Sequence, residues 1–336
     1  MRLETPFWWY RSKGLLASLL APLGRLYGGM VEGRFARATP YRSRLPVICI
    51  GNFTAGGGGK TPTAIAVARM LLAQGERPAF LTRGYGGANA GPILVPDGGH
   101  ASEVGDEPLL LAAVAPTVVS ADRMEGARII EATDATVIVM DDGFQNPSLH
   151  KDLSLIAVDA ASGIGNGLIM PAGPLRAPLQ AQIARADALL VIGEGGSAAS
   201  LADAFSQHGK TVLQATIAPN CDPRWLGVMP AIGFAGIARP GKFFATLRAN
   251  GARVIDTRSF PDHHRYTERE ARRLLDAAQE KNAMLVTTEK DWARLPDEDG
   301  TALGELKHRS RPFPIVVKFA DEDALMQLLR ATIKRT

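Results

Sequence analysis

A chain of 336 residues is long enough for two domains with separate cores, and 46% apolar residues with 35 glycines and 22 prolines describe a loop-rich α/β protein and exclude a disordered one. The two cysteines, Cys49 and Cys221, offer neither a disulfide framework nor metal-ligand spacing, which fits a reducing cytoplasm. The net charge of +4 is small but uneven: residues 1–45 hold eight basic side chains (Arg2, Arg11, Lys13, Arg25, Arg34, Arg37, Arg42, Arg44) against Glu4 and Glu32, a local +6 that leaves −2 for the remainder.

In that first segment Phe7, Trp8, Trp9 and Tyr10 precede a leucine-rich run over 14–27. A basic, aromatic, amphipathic stretch suits the interface of an anionic membrane. The plain alternative is a helix packed on the core. The run is too short to span a bilayer, and Pro22 and Arg25 interrupt it. A signal peptide is a further alternative, suggested superficially by Arg11 and Lys13 ahead of an apolar stretch.

Residues 46–61 carry the strongest signal: an apolar run, then Gly56, Gly57, Gly58, Gly59, Lys60 and Thr61, then a helix-like stretch from Pro62. Strand, glycine loop, Lys-Thr and helix make a phosphate cradle, because glycines let backbone N–H groups converge on an anion at a helix N-terminus. Lys60 is placed to neutralise the β- and γ-phosphates, and the Thr61 hydroxyl to ligate Mg²⁺. The strict motif has glycine where this chain has Thr54, so the loop is expected to follow a variant path, with Gly51 and Gly56 to Gly58 supplying flexibility.

The βα pattern then repeats. Strands are predicted over 78–84, 117–120, 136–143 and 153–159, with helices from 105 and over 121–132. From 186 onward further strand candidates lie at 188–193, 211–215, 229–237, 252–256 and 283–291, with helices near 240–249, 267–280 and 321–333. The expectation is a doubly wound, mostly parallel sheet of P-loop NTPase type with a second, smaller α/β domain. The expected division is an N-terminal membrane-associating segment over 1–45, a P-loop nucleotide-binding domain over 46–165, a linker over 166–185 that overlaps the Gly/Pro-rich stretch 163–178, and a second domain over 186–336 whose last helix can pack back on the first. Ligands of such sheets sit beyond the carboxyl ends of strands, where Gly51, Arg83, Asp141 and Asp159 fall.

Asp141 and Asp142 end an apolar strand and suit the metal side of a nucleotide site; helix capping is the alternative. Arg83 and Tyr85 lie on a glycine-rich loop at the same edge. Asp106 could accept a proton from an attacking hydroxyl or cap the helix after it. Asp122 and Arg123 pose the same choice, Arg123 being suited to a phosphate. His263 and His264 follow Asp262 in a polar loop before a helix that Thr267 could cap.

Taken in order, Gly51-Asn52 through the glycines to Lys60-Thr61-Pro62, Thr82-Arg83-Gly84-Tyr85-Gly86, Gly105-Asp106-Glu107-Pro108, Asp122-Arg123, Asp141-Asp142-Gly143-Phe144-Gln145, Pro171 to Arg176, the Phe260 to Tyr266 run and Thr288-Glu289-Lys290-Asp291 closely resemble the tetraacyldisaccharide 4′-kinase (lipid A 4′-kinase) family. The resemblance implies transfer of the ATP γ-phosphate to the 4′-hydroxyl of a tetraacylated glucosamine disaccharide 1-phosphate, in lipid A biosynthesis, at the cytoplasmic face of a Gram-negative inner membrane. It implies Asp106 as catalytic aspartate, assisted by His263 or His264, with ATP and Mg²⁺ as cofactors, and Arg83, Tyr85, Arg123 and Gln145 as candidates for acceptor binding. A monomer without a nucleic-acid partner is expected. The family usually carries glutamate after the arginine of its Pro-Leu-Arg motif, whereas Arg176 is followed here by Ala177. The rival class is a P-loop switch that hydrolyses nucleotide without an acceptor and reads guanine through the Thr-Glu-Lys-Asp element.

Overall fold

The computed structural model describes residues 6–11, 14–88 and 91–334. Arg2, Glu4 and Lys13, counted above in the N-terminal charge, lie outside the described residues. The strands are β1 (Val47–Gly51), β2 (Pro78–Thr82), β3 (Ile93–Leu94), β4 (Thr117–Val119), β5 (Val137–Asp141), β6 (Leu153–Asp159), β7 (Ala188–Ile192), β8 (Thr211–Pro219), β9 (Ala231–Ala235), β10 (Val254–Ser259), β11 (Met284–Thr288), β12 (Ser310–Phe313) and β13 (Ile315–Phe319).

They form two sheets. The larger has nine strands in the order β13-β8-β7-β6-β1-β5-β2-β4-β3, parallel except where β13 meets β8 and β3 meets β4. Its central strands are buried on both faces, so successive residues feed two cores. Ile48, Ile50, Val137 and Val139 pack with the helices Lys60–Ala73 and Glu322–Ile333 on one side. Val47, Cys49, Ile138 and Met140 pack with Arg123–Glu131, Leu179–Arg185 and Ala199–Gln207 on the other. Helices on both faces of a parallel sheet are the doubly wound arrangement. The smaller sheet, β10-β9-β11-β12, is all parallel and lies between its own pair of cores.

The sheets do not divide at residue 186. Strands β7 and β8 continue the larger sheet in parallel register with β6, and β13 returns to close its edge. Nor do residues 166–185 string the two units together. Ile169 bridges Leu175, Asn166 Nδ2 donates to the Ala172 carbonyl at 3.0 Å, and Ile183 is buried against the large sheet. The Gly/Pro-rich stretch is a compact loop folded over the sheet's ligand edge.

The N-terminal helix Leu15–Arg37 lies against that loop through its small residues. A Cβ on Gly24 would fall 2.6 Å from the Ile169 carbonyl oxygen, so glycine is what allows the approach. Arg185 fixes the helix by pairing with Glu32 at 2.6 Å and stacking over the Phe35 ring. The opposite face carries Leu15, Leu19, Leu23, Leu26 and Met30, each more than half exposed. No helix among the described residues is long and apolar enough to cross a membrane. Trp9 departs from the expected interfacial role: it is buried, and its indole N–H donates to the Pro171 carbonyl at 3.0 Å.

Candidate active site

The phosphate loop leaves β1 at Gly51, where a Cβ would come within 2.4 Å of the Phe144 Cβ. It enters the helix Lys60–Ala73 through Gly59 at φ 78°, a left-handed conformation that favours glycine. The departure from the strict motif has a structural reason. Thr54 pairs with Leu175 as an antiparallel bridge, and Ala55 N–H donates to the Pro174 carbonyl at 2.8 Å. The first half of the loop is therefore held by the neighbouring Gly/Pro-rich segment. The Asn52 amide, donating to the Gly56 carbonyl at 3.2 Å, ties the loop's base.

Asp141 and Asp142 follow at the end of the adjacent strand β5 and take different surroundings. Thr61 Oγ1 donates to Asp141 Oδ2 at 2.8 Å, while the buried Oδ1 has no hydrogen-bond partner. Burial, reinforced by the nearby Glu107 and Asp142 charges, pushes the Asp141 carboxyl up to about 7. An unpartnered hard oxygen beside a threonine hydroxyl fits a divalent cation, whose charge would restore the ionised form. Among the described residues no group of three or more His, Cys, Asp or Glu side chains is assembled to hold a metal. Nucleotide oxygens and waters would complete the shell of a Mg²⁺ held there, as is usual for that ion. Asp142, at φ 52°, turns instead to cations: Lys60 Nζ lies 3.7 Å away, and Arg176 bonds both carboxylate oxygens at 2.8 and 3.2 Å. Burial opposes its ionisation, but Lys60 and Arg176 outweigh it and hold the carboxyl well below the usual range. Ala177 is buried with its carbonyl accepting from Gln182 Nε2 at 2.9 Å, so that position offers no carboxylate.

The second half of the site joins the two units. Asp106 is the first residue of the helix Asp106–Ala112, with Gly105 in the capping position. One of its carboxylate oxygens accepts from its neighbour Glu107 N–H at 3.0 Å, and the group faces the smaller unit. His263 Nδ1 lies 3.1 Å from both carboxylate oxygens, and Arg294 Nε donates to Oδ2 at 2.6 Å. Burial works against ionisation of Asp106. The His263 hydrogen bond with the charges of Lys290 and Arg294 prevails, and the carboxyl sits far below its ordinary value. Lys290 Nζ donates to Glu107 Oε1 at 2.9 Å and lies 3.4 Å from His263 Nε2. Glu107 in turn feels Lys60 and acts on Asp141, so both halves of the site share one electrostatic field.

The two histidines take different partners. His263 adopts φ 55°, which turns its ring toward Asp106; His264 Nε2 pairs with Glu270 at 3.0 Å, and its ring stacks on Phe260. Tyr85, more than half exposed, meets the His263 ring edge-on at 5.0 Å between centroids, and Arg83 is exposed beside it. Arg123 is buried, donates to the Ser120 carbonyl and leaves Nε without a hydrogen-bond partner, while Asp122 caps its helix through Met124 and Glu125 N–H groups. Gln145 departs from its expected place. Its amide donates to the Asn52 carbonyl at 2.7 Å and to Gln182, and it accepts from Arg176, so its polar atoms brace the phosphate loop. Thr267 caps the helix Glu268–Glu280 in a capping box with Glu270.

Arg294 was not among the sequence candidates, although a signal existed. Lys290, Asp291 and Arg294 stand at i, i+1 and i+4, which puts Arg294 on one helix face with each of the other two. The Thr-Glu-Lys-Asp element meets the catalytic edge instead of an open base pocket: Asp291 is buried, accepting from Gly236 N–H and the Tyr266 hydroxyl, both at 2.8 Å.

Comparison with known proteins decides the family. The model of the tetraacyldisaccharide-1-P 4′-kinase family matches residues 16–334. This chain belongs to that family. The tetraacyldisaccharide 4′-kinase of Methylobacterium nodulans is 50% identical over 329 residues, covering 97% of this chain and 94% of the relative. That of Methylorubrum extorquens is 48% identical over 333 residues, covering 98% of each. A crystal structure of the 4′-kinase LpxK from Aquifex aeolicus in complex with ATP superposes with a TM-score of 0.73 at 26% identity, covering 95% of this chain and all of that one. The 4′-kinase fold thus extends over nearly the whole chain, both sheets included.

Proposed function

We propose that this protein transfers the γ-phosphoryl group of ATP to the 4′-hydroxyl of a tetraacylated glucosamine disaccharide 1-phosphate, giving the 1,4′-bisphosphate of the lipid A pathway. The observation that carries this reading is the meeting of Asp106 with His263, at 3.1 Å, beside a phosphate loop in a chain of the 4′-kinase family. A switch that only hydrolyses nucleotide has no need of such a pair.

In this account Gly56 to Gly59, Lys60, Thr61 and Pro62 receive the nucleotide phosphates, with Lys60 exchanging its contact to Asp142 for the γ-phosphate. A Mg²⁺ ion, with Thr61 and Asp141 as its protein ligands, would supply charge neutralisation at the β- and γ-phosphate oxygens. Asp142 contributes from outside that pair by holding Arg176 and, before nucleotide binds, Lys60. The new O–P bond forms at the acceptor oxygen as the bond from Pγ to the β-bridging oxygen breaks, and the hydroxyl proton passes to the Asp106–His263 pair. His263 Nδ1 stands within hydrogen-bond reach of both Asp106 oxygens, so the proton is assigned to the pair and not to one group. His264 stands outside it. Arg83, Tyr85 and Arg123 are assigned to the acceptor, cations near apolar surface being what a phosphorylated, acylated sugar requires.

The exposed leucine face of Leu15–Arg37, flanked by the basic residues of the N-terminal segment, suits peripheral binding to an anionic membrane, at the cytoplasmic side of a Gram-negative inner membrane where such an acceptor would be presented. The unit acts as a monomer, without a nucleic-acid partner. The test is incubation with γ-labelled ATP, Mg²⁺ and the acylated disaccharide 1-phosphate in detergent micelles, beside Lys60→Ala. Label in the lipid, absent from the variant, upholds the reading. Acceptor-independent release of phosphate with unlabelled lipid contradicts it.

A further inference from the structure

Asp106 lies in the larger unit, yet its position depends on a residue that the mechanism above does not use. Arg294 ends the short helix Glu289–Arg294 and is 5% exposed; Asp106 and Asp291, its two carboxylate partners, are 3% and 0% exposed. Its guanidinium makes three directed contacts: Nε to Asp106 Oδ2 at 2.6 Å, Nη1 to Asp291 Oδ1 at 2.6 Å and Nη1 to the Gly236 carbonyl at 2.7 Å. Asp291 is itself immobilised by Gly236 N–H, the Tyr266 hydroxyl and Thr288 Oγ1. The guanidinium is thus clamped on the smaller unit before it meets the carboxylate of the larger one.

A buried carboxylate–guanidinium–carboxylate array is a poor device for stability, because apolar residues of similar volume do as well or better once desolvation is counted. Its planar, preset donors are a good device for geometry. We propose that Arg294 is a positioning residue of the phosphoryl transfer, holding the Asp106 carboxylate in register with the His263 imidazole from an anchor on Asp291 and Gly236. This inference rests on the reading of Asp106 and His263 as the proton-accepting pair. His263 and Asp106 come from different units, so their alignment has to be set by a contact that crosses between those units. Among the described residues Lys290 reaches Glu107 and His263, whereas Arg294 bonds the Asp106 carboxylate itself.

The test compares the full chain with Arg294→Met and Arg294→Lys in detergent micelles, measuring kcat and the KM values for ATP and lipid, with Asp106→Asn alongside. Misplacing a catalytic group by about 1 Å costs ~10²-fold. Arg294→Met is therefore expected to lose about that factor in kcat while both KM values stay within a few-fold of the unmodified protein. A kcat within twofold of the unmodified protein, or a loss shared with both KM values, overturns the proposal. Should Arg294→Met fail to fold, Arg294→Lys decides. Lysine keeps the charge but cannot bridge Asp106, Asp291 and Gly236 in one plane, so kcat should remain at least about tenfold low. Full activity in Arg294→Lys means that charge alone suffices and overturns positioning. An Asp106→Asn variant with normal kcat would refute the underlying pair, a different failure from an inactive Asp106→Asn beside an unaffected Arg294→Met.

Discussion

His263 Nδ1 stands 3.1 Å from each carboxylate oxygen of Asp106 across 157 positions of sequence and the junction of two sheets. The neighbouring His264, one residue further on, points to Glu270. Substitution should separate them sharply. Loss of a positioned acid–base group costs ~10²–10⁴-fold, so His263→Ala is expected to fall in that range for kcat. His264→Ala should keep kcat within a few-fold. Steady-state assays in mixed micelles read both.

The phosphate side should respond to metal concentration. Thr61→Ala removes the hydroxyl and Asp141→Asn the negative charge assigned to Mg²⁺, and both are expected to raise the Mg²⁺ needed for half-maximal activity, with chelator abolishing activity of the unmodified chain. Asp142→Asn should act differently, because that carboxylate holds Lys60 and Arg176. Its expected signature is a raised KM for ATP at saturating metal. A Mg²⁺ titration at fixed ATP distinguishes the two behaviours.

Acid should weaken the fold through Asp106. Its folded carboxyl lies below the unfolded value of about 3.9, because the His263 hydrogen bond with Lys290 and Arg294 outweighs burial. Such a group contributes stability above its unfolded pKa and loses it as pH falls toward the folded one. Melting temperature should therefore drop below about pH 4, and Asp106→Asn should flatten that drop while lowering Tm at neutral pH. Calorimetry across the acid range measures both.

The N-terminal helix should bind lipid through a face that does not support the fold. Leu19 and Leu26 are 68% and 65% exposed, so replacing both by aspartate should leave Tm nearly unchanged. Full burial of one leucine is worth ~1.5–3 kcal/mol, and partial insertion of two should make the double variant bind anionic vesicles at least about tenfold more weakly. Vesicle sedimentation of the intact chain reads the effect.

Gly51 tests the packing beneath the loop. The Cβ of an alanine there would lie 2.4 Å from the Phe144 Cβ, between buried elements that cannot both yield. Gly51→Ala is expected to cost about 1–3 kcal/mol, the usual range for an overpacked core, in a urea unfolding experiment.

Much of this architecture was legible where local chemistry is strong. The strand, glycine loop and helix over 47–73 were read from β-branched residues, four glycines and Lys-Thr, and the capping box at Thr267 confirmed the start of its helix. Strand β12 escaped because Ser310–Phe313 contains Arg311 and Pro312 at a sheet edge, and β13 because Pro314 separates it by one residue from β12. The stretch 283–291 was read as one strand, but Thr288 caps a helix through Asp291 N–H, and that turn is what aims Arg294 at Asp106. The Gly/Pro-rich region looked like a junction since composition reports flexibility and not the long-range bonds that fold it over the sheet. Adjacent histidines cannot be told apart by composition either. His263 takes a left-handed φ, and the two rings reach different partners, Asp106 and Glu270.

The central claim is that two units of the fold meet to form one proton-accepting pair, and a double-substitution cycle tests it most directly. Single-turnover rates of label transfer to the lipid would be measured for the unmodified chain, Asp106→Asn, His263→Ala and the two combined. Residues that act as a unit are strongly non-additive, so the combined variant should be no slower than the slower single one within about threefold. Losses that multiply would contradict the account, since they would show Asp106 and His263 acting independently.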